Sequence, residues 1–132
     1  MPRNNVLSKI KKINDWEDKY EYIIQLGKKL GNLKEEYKIE ENLIEGCHSK
    51  VWIHINKSKG KIILKADSNT IITKGIIAIL LYELSGRTPQ EILDYDFKIF
   101  EEIGLTEYLV STRVKGLHSM ITKIKNYAKE NV

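Results

Sequence analysis

The sequence holds one cysteine, Cys47, so no disulfide can form within the chain. Proline occurs only at Pro2 and Pro89, which excludes a proline-rich linker. The glycines are spread out and never gather into a phosphate-cradling loop. Arginine, the usual reader of base edges, is confined to Arg3, Arg87 and Arg113, and neither a basic block nor an RNA-binding aromatic signature is present. Long apolar runs are missing too. The longest, Ile71 to Leu84, is broken by Lys74, Gly75 and Glu83, and it falls short of the about 20 residues a bilayer span requires. Met1-Pro2-Arg3-Asn4-Asn5 lacks the apolar core of a secretory signal. These absences predict a cytoplasmic protein in a reducing compartment, with no nucleic-acid or membrane partner.

What is present suits a single folded unit over residues 1–132. Hydrophobic content of 42% supplies a core, and charged content of 30% supplies a solvated surface. The net charge of +4 comes from lysines interleaved with acids, an ordinary surface rather than a polyanion site.

The chain opens with a predicted helix over 4–13, with Leu7, Ile10 and Ile13 on one face. Asn14 reads as the next N-cap, with Glu17 as its capping-box partner. Trp16, Tyr20, Ile23, Ile24 and Gly27 follow on one stripe, and Gly31 is the stop. Residues 32–41 are charged, have no clear period and read as an excursion over the surface. A brief extended piece, Asn42-Leu43-Ile44, then leads to Gly46-Cys47. Val51, Ile53 and Ile55 alternate with Trp52, His54 and Asn56 as in a half-buried strand. After turn chemistry at Lys57-Ser58-Lys59-Gly60, a second strand carries Ile62, Leu64 and Ala66.

Beyond the capping cluster Asp67-Ser68-Asn69-Thr70, residues 71–84 are apolar on nearly every side and predict a buried central helix ended by Gly86. Thr88-Pro89-Gln90-Glu91 is a second helix start, with cap, proline and box glutamate in order. Its turns are expected to reach Gly104, carrying Ile92, Leu93, Phe97, Phe100 and Ile103. The last helix starts near Ser111 or Thr112 with Val114, Leu117, Ile121, Ile124 and Ala128 on one face. The expected class is α+β, with helices over a small antiparallel sheet of about three strands.

Zinc would need three or four ligands, and Cys47, His48, His54 and His118 show neither Cys-x-x-Cys nor His-x-x-x-His spacing. A cysteine hydrolase would need a histidine beside the thiol. His118 is the candidate, although it reads first as a helix-surface residue beside the Leu117 stripe. That leaves a thiol acting alone, as in covalent carriage of sulfur, which requires a thiolate, access and no neighbouring thiol to collapse the adduct. Gly46 would let the chain bend there, and His48 or Arg113 would favour the thiolate. The competing reading keeps Cys47 as a packed small hydrophobe.

The order Asn42, Gly46-Cys47-x-Ser49-x-Val51-Trp52, Asp67-Ser68, Lys74-Gly75, Thr88-Pro89 and Arg113-x-x-Gly116-Leu117, followed by Met120, resembles the SufE family, including its CsdE-like members. Trp16, Tyr20 and Leu26-Gly27 fit the same pattern. The resemblance implies a SufE/IscU-like fold and a sulfur acceptor that carries persulfide on Cys47. It implies a SufS- or CsdA-like cysteine desulfurase as donor and activated partner, and a SufBCD-like iron–sulfur scaffold as recipient. The chain itself would bind neither cofactor nor metal, since the pyridoxal phosphate belongs to the desulfurase, and it would be a monomer or weak homodimer.

Arg113 matches a family arginine near the cysteine segment, where it would stabilise an anion or simply form a surface ion pair. Gly46, His48, Ser49, Trp52, Asp67 and Lys74 are the remaining candidates for docking or for shaping the segment. Trp52 reads as core ahead of an anchor for the segment, and Asp67 as a helix cap first and a docking residue second. Asn69, Ala66 and Ser111 depart from the family pattern at positions bearing on docking and rigidity, not on the thiol. The alternative class is a binding-only regulator of a partner enzyme that keeps Cys47 packed.

Overall fold

A computed structural model describes residues 6–44, 50–98 and 111–132, with the backbone alone for 111–116. It is α+β, built on a two-stranded antiparallel sheet of β1 (Val51–Ser58) and β2 (Lys61–Ser68). The hairpin turn places Lys59 at φ 50° and Gly60 at φ 79°. Two successive positive φ values make the turn whose twist matches the flanking strands, and a glycine at the second position relieves the strain. Register follows from it, with Ile53 opposite Ala66 and Ile55 opposite Leu64 on one face, and Trp52 opposite Asp67 and His54 opposite Lys65 on the other.

Among the described residues, the expected third strand is reduced to one bridge, between Leu43 and Trp52. The outer edge of β2 is met by the turn after the central helix. There Ile62 N–H donates to Arg87 O at 2.8 Å, and Gly86 N–H donates to Ile62 O at 2.8 Å.

The apolar sheet face is covered by helices. The central helix α3 (Ile71–Leu84) is buried at Ile72, Thr73, Gly75 through Leu80 and Leu84, as its all-round apolar sequence predicts. Against it lies α2 (Trp16–Leu30), with α1 (Val6–Lys12) alongside. The two long helices meet at glycines. A Cβ on Gly27 would stand 2.7 Å from Gly75 N, and one on Gly75 would overlap the Ile23 carbonyl. Only hydrogen at both positions permits so close a backbone approach.

Some boundaries differ from expectation. The N-cap of α2 is Asp15, not Asn14; its carboxylate accepts from Glu17 N–H at 3.4 Å. Two adjacent residues could cap, and Asp15 stands in extended backbone at φ −86° and ψ 129°. The buried stripe of α2 is Ile23, Leu26 and Gly27, while Trp16 and Tyr20 meet edge-to-face near the surface, with centroids 6.4 Å apart. Helix α4 (Pro89–Asp94) carries the expected capping box at Thr88 and Glu91 but stops at Asp94. The expected turns around Phe100, Ile103 and Gly104 lie outside the described residues. The last helix, α5 (Ser111–Glu130), buries Leu117, Met120, Ile124 and Ala128. No helix among the described residues is long and apolar enough to cross a membrane.

Candidate functional site

Gly46, Cys47, His48 and Ser49 lie outside the described residues, as does the Arg113 side chain. Both flanks of that segment are described, and they lie side by side at one end of the sheet. On the entering side Ile44 N–H donates to Val51 O at 2.8 Å. On the returning side Lys50 N–H donates to Asn69 Oδ1 at 3.1 Å, and Asn69 N–H donates to Lys50 O at 3.2 Å. Both flanks of the thiol-bearing segment therefore stand beside the corner where β2 passes into α3.

Asp67, at that corner, is 2% exposed. Its Oδ2 accepts from Leu33 N–H at 3.0 Å and its Oδ1 from Ser68 N–H at 2.8 Å. Lys74 Nζ stands 3.3 Å from Oδ1 and Lys38 Nζ 3.5 Å from Oδ2. Burial alone would push this carboxyl up. The two backbone N–H donors and the Lys74 ammonium outweigh it and hold Asp67 below its ordinary range. A carboxylate so enclosed offers no surface to a partner. Its work is to pin residues 32–38 against the sheet, aided by Lys74 Nζ donating to Asn32 Oδ1 at 2.8 Å.

The stretch expected to run loosely over the surface is thus the cover of the outer sheet face. Two short 3₁₀ turns, Glu35–Tyr37 and Glu40–Asn42, shape it. Tyr37 packs on His54 with centroids 4.3 Å apart, and Lys65 Nζ lies 5.4 Å from the Tyr37 ring. Trp52 is half-buried on this face, away from the helix-covered core, with Lys38 Nζ 5.4 Å from its ring. Trp52, Asp67 and Lys74 are therefore gathered around one polar cluster. Asn32, Leu33 and Lys38 complete it, and sequence reading missed them because a charged, aperiodic stretch gives no hint of which distant carboxylate it meets.

His118 is elsewhere. It is exposed on α5 and lines an open cavity of about 670 Å³ together with Ile44, Ile53, Ile55, Lys123 and Tyr127, on the opposite sheet face from Trp52. Lys123 Nζ donates to Glu41 O at 2.7 Å across this cavity. Burial holds that ammonium below the usual lysine range, partly countered by the Glu41 charge. Among the described residues no group of three His, Cys, Asp or Glu side chains could hold a metal ion.

These features define a small α+β domain in which both flanks of the segment carrying the thiol are fastened at one end of the sheet. Residues 4–128 match the SufE family, the Fe-S metabolism associated domain. An uncharacterized SufE-like protein from Rhizobium etli is 43% identical over 122 residues, covering 89% of this chain and 82% of that protein. The chain belongs to the SufE family, and its role lies in iron–sulfur metabolism. The fold is shared with a hypothetical protein from Thermus thermophilus solved in solution, with a TM-score of 0.79 over 99% of this chain and 98% of that one, at 17% identity.

Proposed function

We propose that this protein is a sulfur acceptor for a cysteine desulfurase, with Cys47 as the carrier. The observation that carries the reading is the family match across 4–128 in a chain whose sole thiol is Cys47. The Cys47 thiolate attacks the terminal sulfur of the desulfurase's cysteine persulfide. A bond forms between Cys47 Sγ and that sulfur, the sulfur–sulfur bond on the desulfurase breaks, and the desulfurase cysteine departs as a thiolate. No external oxidant or reductant is consumed. The Cys47 persulfide then passes its outer sulfur to a thiol of an iron–sulfur assembly scaffold. Draining its persulfide frees the desulfurase for another turnover. A chain without a second cysteine suits this work, because no internal thiol can collapse the adduct into a disulfide.

Arg113 supplies a fixed positive charge in the first turn of α5 that would favour the thiolate and persulfide anions. The pyridoxal phosphate that generates the sulfur resides on the desulfurase, and the reaction takes place in the reducing cytoplasm.

The test is intact-mass analysis after incubation with a desulfurase of this type and cysteine. We expect one reducible sulfur added to the wild type and none to Cys47→Ser, which also ceases to stimulate the desulfurase. Full stimulation by Cys47→Ser would instead establish a binding-only regulator.

A further inference from the structure

We propose that the outer edge of β2 at Ala66 is a docking groove for an extended acidic segment of a partner protein, which adds there as a short antiparallel strand. The proposal goes beyond the carrier reading and does not depend on Cys47. Strand alternation fixes which backbone groups face outward. Ile62 N–H and C=O are bonded to Arg87 and Gly86, and Leu64 N–H donates to Ser85 Oγ at 3.0 Å. Ile62, Leu64 and, next in the series, Ala66 therefore turn their backbone groups away from β1. Just beyond, Leu33 N–H is fastened to Asp67 Oδ2 at 3.0 Å. Between these fastenings, nothing among the described residues meets the N–H or C=O of Ala66, although the residue is only 5% exposed. Buried main-chain groups are nearly always paired. One residue of an antiparallel strand would take both bonds at once.

The space beside this edge is shaped for such a strand. Ala66 lines a cavity of about 320 Å³ with Leu30, Leu33, Leu64 and Leu81. A neighbouring hollow of about 300 Å³ shares Leu30, Leu64 and Leu81 with it and continues it toward Ser85. Leu30 and Leu81 are only half-buried, so the helix side of the groove offers an apolar seat. Lys34 and Lys65 line the first cavity and Lys29 the second; all are exposed, and no acidic residue lines either. Lys65 lies on the sheet face of Trp52 and His54, opposite the helix side. An added strand presents successive side chains to opposite faces. The groove therefore fits a sequence in which acidic residues, met by Lys34 and Lys65, alternate with apolar ones seated on Leu30 and Leu81. Backbone pairing supplies the affinity and the two linings the selectivity. A second copy of this chain would bring the same lysines to the groove, and like charges along a strand edge oppose self-pairing.

The experiment titrates the full chain into a fluorescein-labelled peptide of alternating glutamate and valine, read by fluorescence anisotropy at low ionic strength. Amide NMR of the same mixture follows the Ala66 N–H. We expect saturable binding that shifts the Ala66 signal and weakens as salt is added. The exposed-site double variant Lys34→Glu with Lys65→Glu should bind about tenfold more weakly, since each reversal turns a rim attraction into a repulsion. The same peptide with alternate backbone amides N-methylated keeps its side chains but loses donors for the edge, and it should not bind. Cys47→Ser should bind as the wild type does, so the outcome stands apart from whether Cys47 accepts sulfur. Absence of binding by the acidic peptide overturns the proposal, as does equal binding by a lysine–valine peptide or by the N-methylated one. A shift of the Ala66 signal with protein concentration alone, without peptide, assigns the edge to a second copy and overturns it too.

Discussion

The two faces of the sheet are covered by opposite means. On one, α3 packs on the sheet and α2 on α3 through Gly27 and Gly75, and Ile53, Leu64 and Ala66 are buried. On the other, residues 32–38 are laid across Trp52 and His54 and held by a buried carboxylate, two lysines and a tyrosine ring. The apolar side is set by shape, and a changed atom there has nowhere to go. The polar side is set by a few directional bonds, each removable singly. The residues that flank the thiol-bearing segment, Ile44 and Lys50, are fastened beside the corner where β2 passes into α3.

The largest effect should come from the apolar side. Gly75→Val forces side-chain atoms into the Ile23 backbone, and overpacking of this kind should cost at least about 3 kcal/mol, measured by urea unfolding. A smaller loss would mean that the helices can separate there. Next is Asp67→Asn, which removes the charge that Lys74 and Lys38 face and should cost about 2 kcal/mol in the same assay.

This variant also has a pH signature. The folded carboxyl is held below its ordinary value of 3.8, so its contribution is fully present above that value and is lost as pH falls through the lowered folded value. Wild type should therefore lose stability more steeply than Asp67→Asn on acidification below about pH 4. Parallel acid profiles would show that Asp67 does not hold the polar side. The smallest effect is Tyr37→Ala, which removes the packing on His54 and should cost about 1 kcal/mol in the same assay.

What could be read in the sequence follows the same division. The burial of α3, the Lys59–Gly60 turn, the Thr88 capping box and the stop at Gly31 are local or periodic signals, and all stand in the structure. The cover over residues 32–38 was illegible because its meaning lies in a bond between Leu33 and Asp67, 34 positions apart. Asp67 read as a cap or docking acid because a carboxylate next to Ser68 and Thr70 looks like one; its burial depends on lysines that no local pattern pairs with it. Asn14, with Glu17 three residues on, carried the stronger capping signal, yet the cap is Asp15, whose carboxylate accepts from Glu17 N–H. At the site, Cys47 stood out by being the sole thiol, whereas Asn69 was visible only as part of a capping cluster, its hold on Lys50 being a contact across the sheet end.

Leu33 gives the polar side a clock of its own. Its amide hydrogen is buried and directed at a carboxylate oxygen, not at a helix or strand carbonyl. Deuterium can replace that hydrogen whenever the cover lifts from the sheet, whether or not the helices come apart. Amides in the middle of α3 exchange only through much larger openings. The ratio of the two exchange rates in one sample therefore measures how often the ground beneath the thiol-bearing segment loosens while the rest of the molecule stays folded.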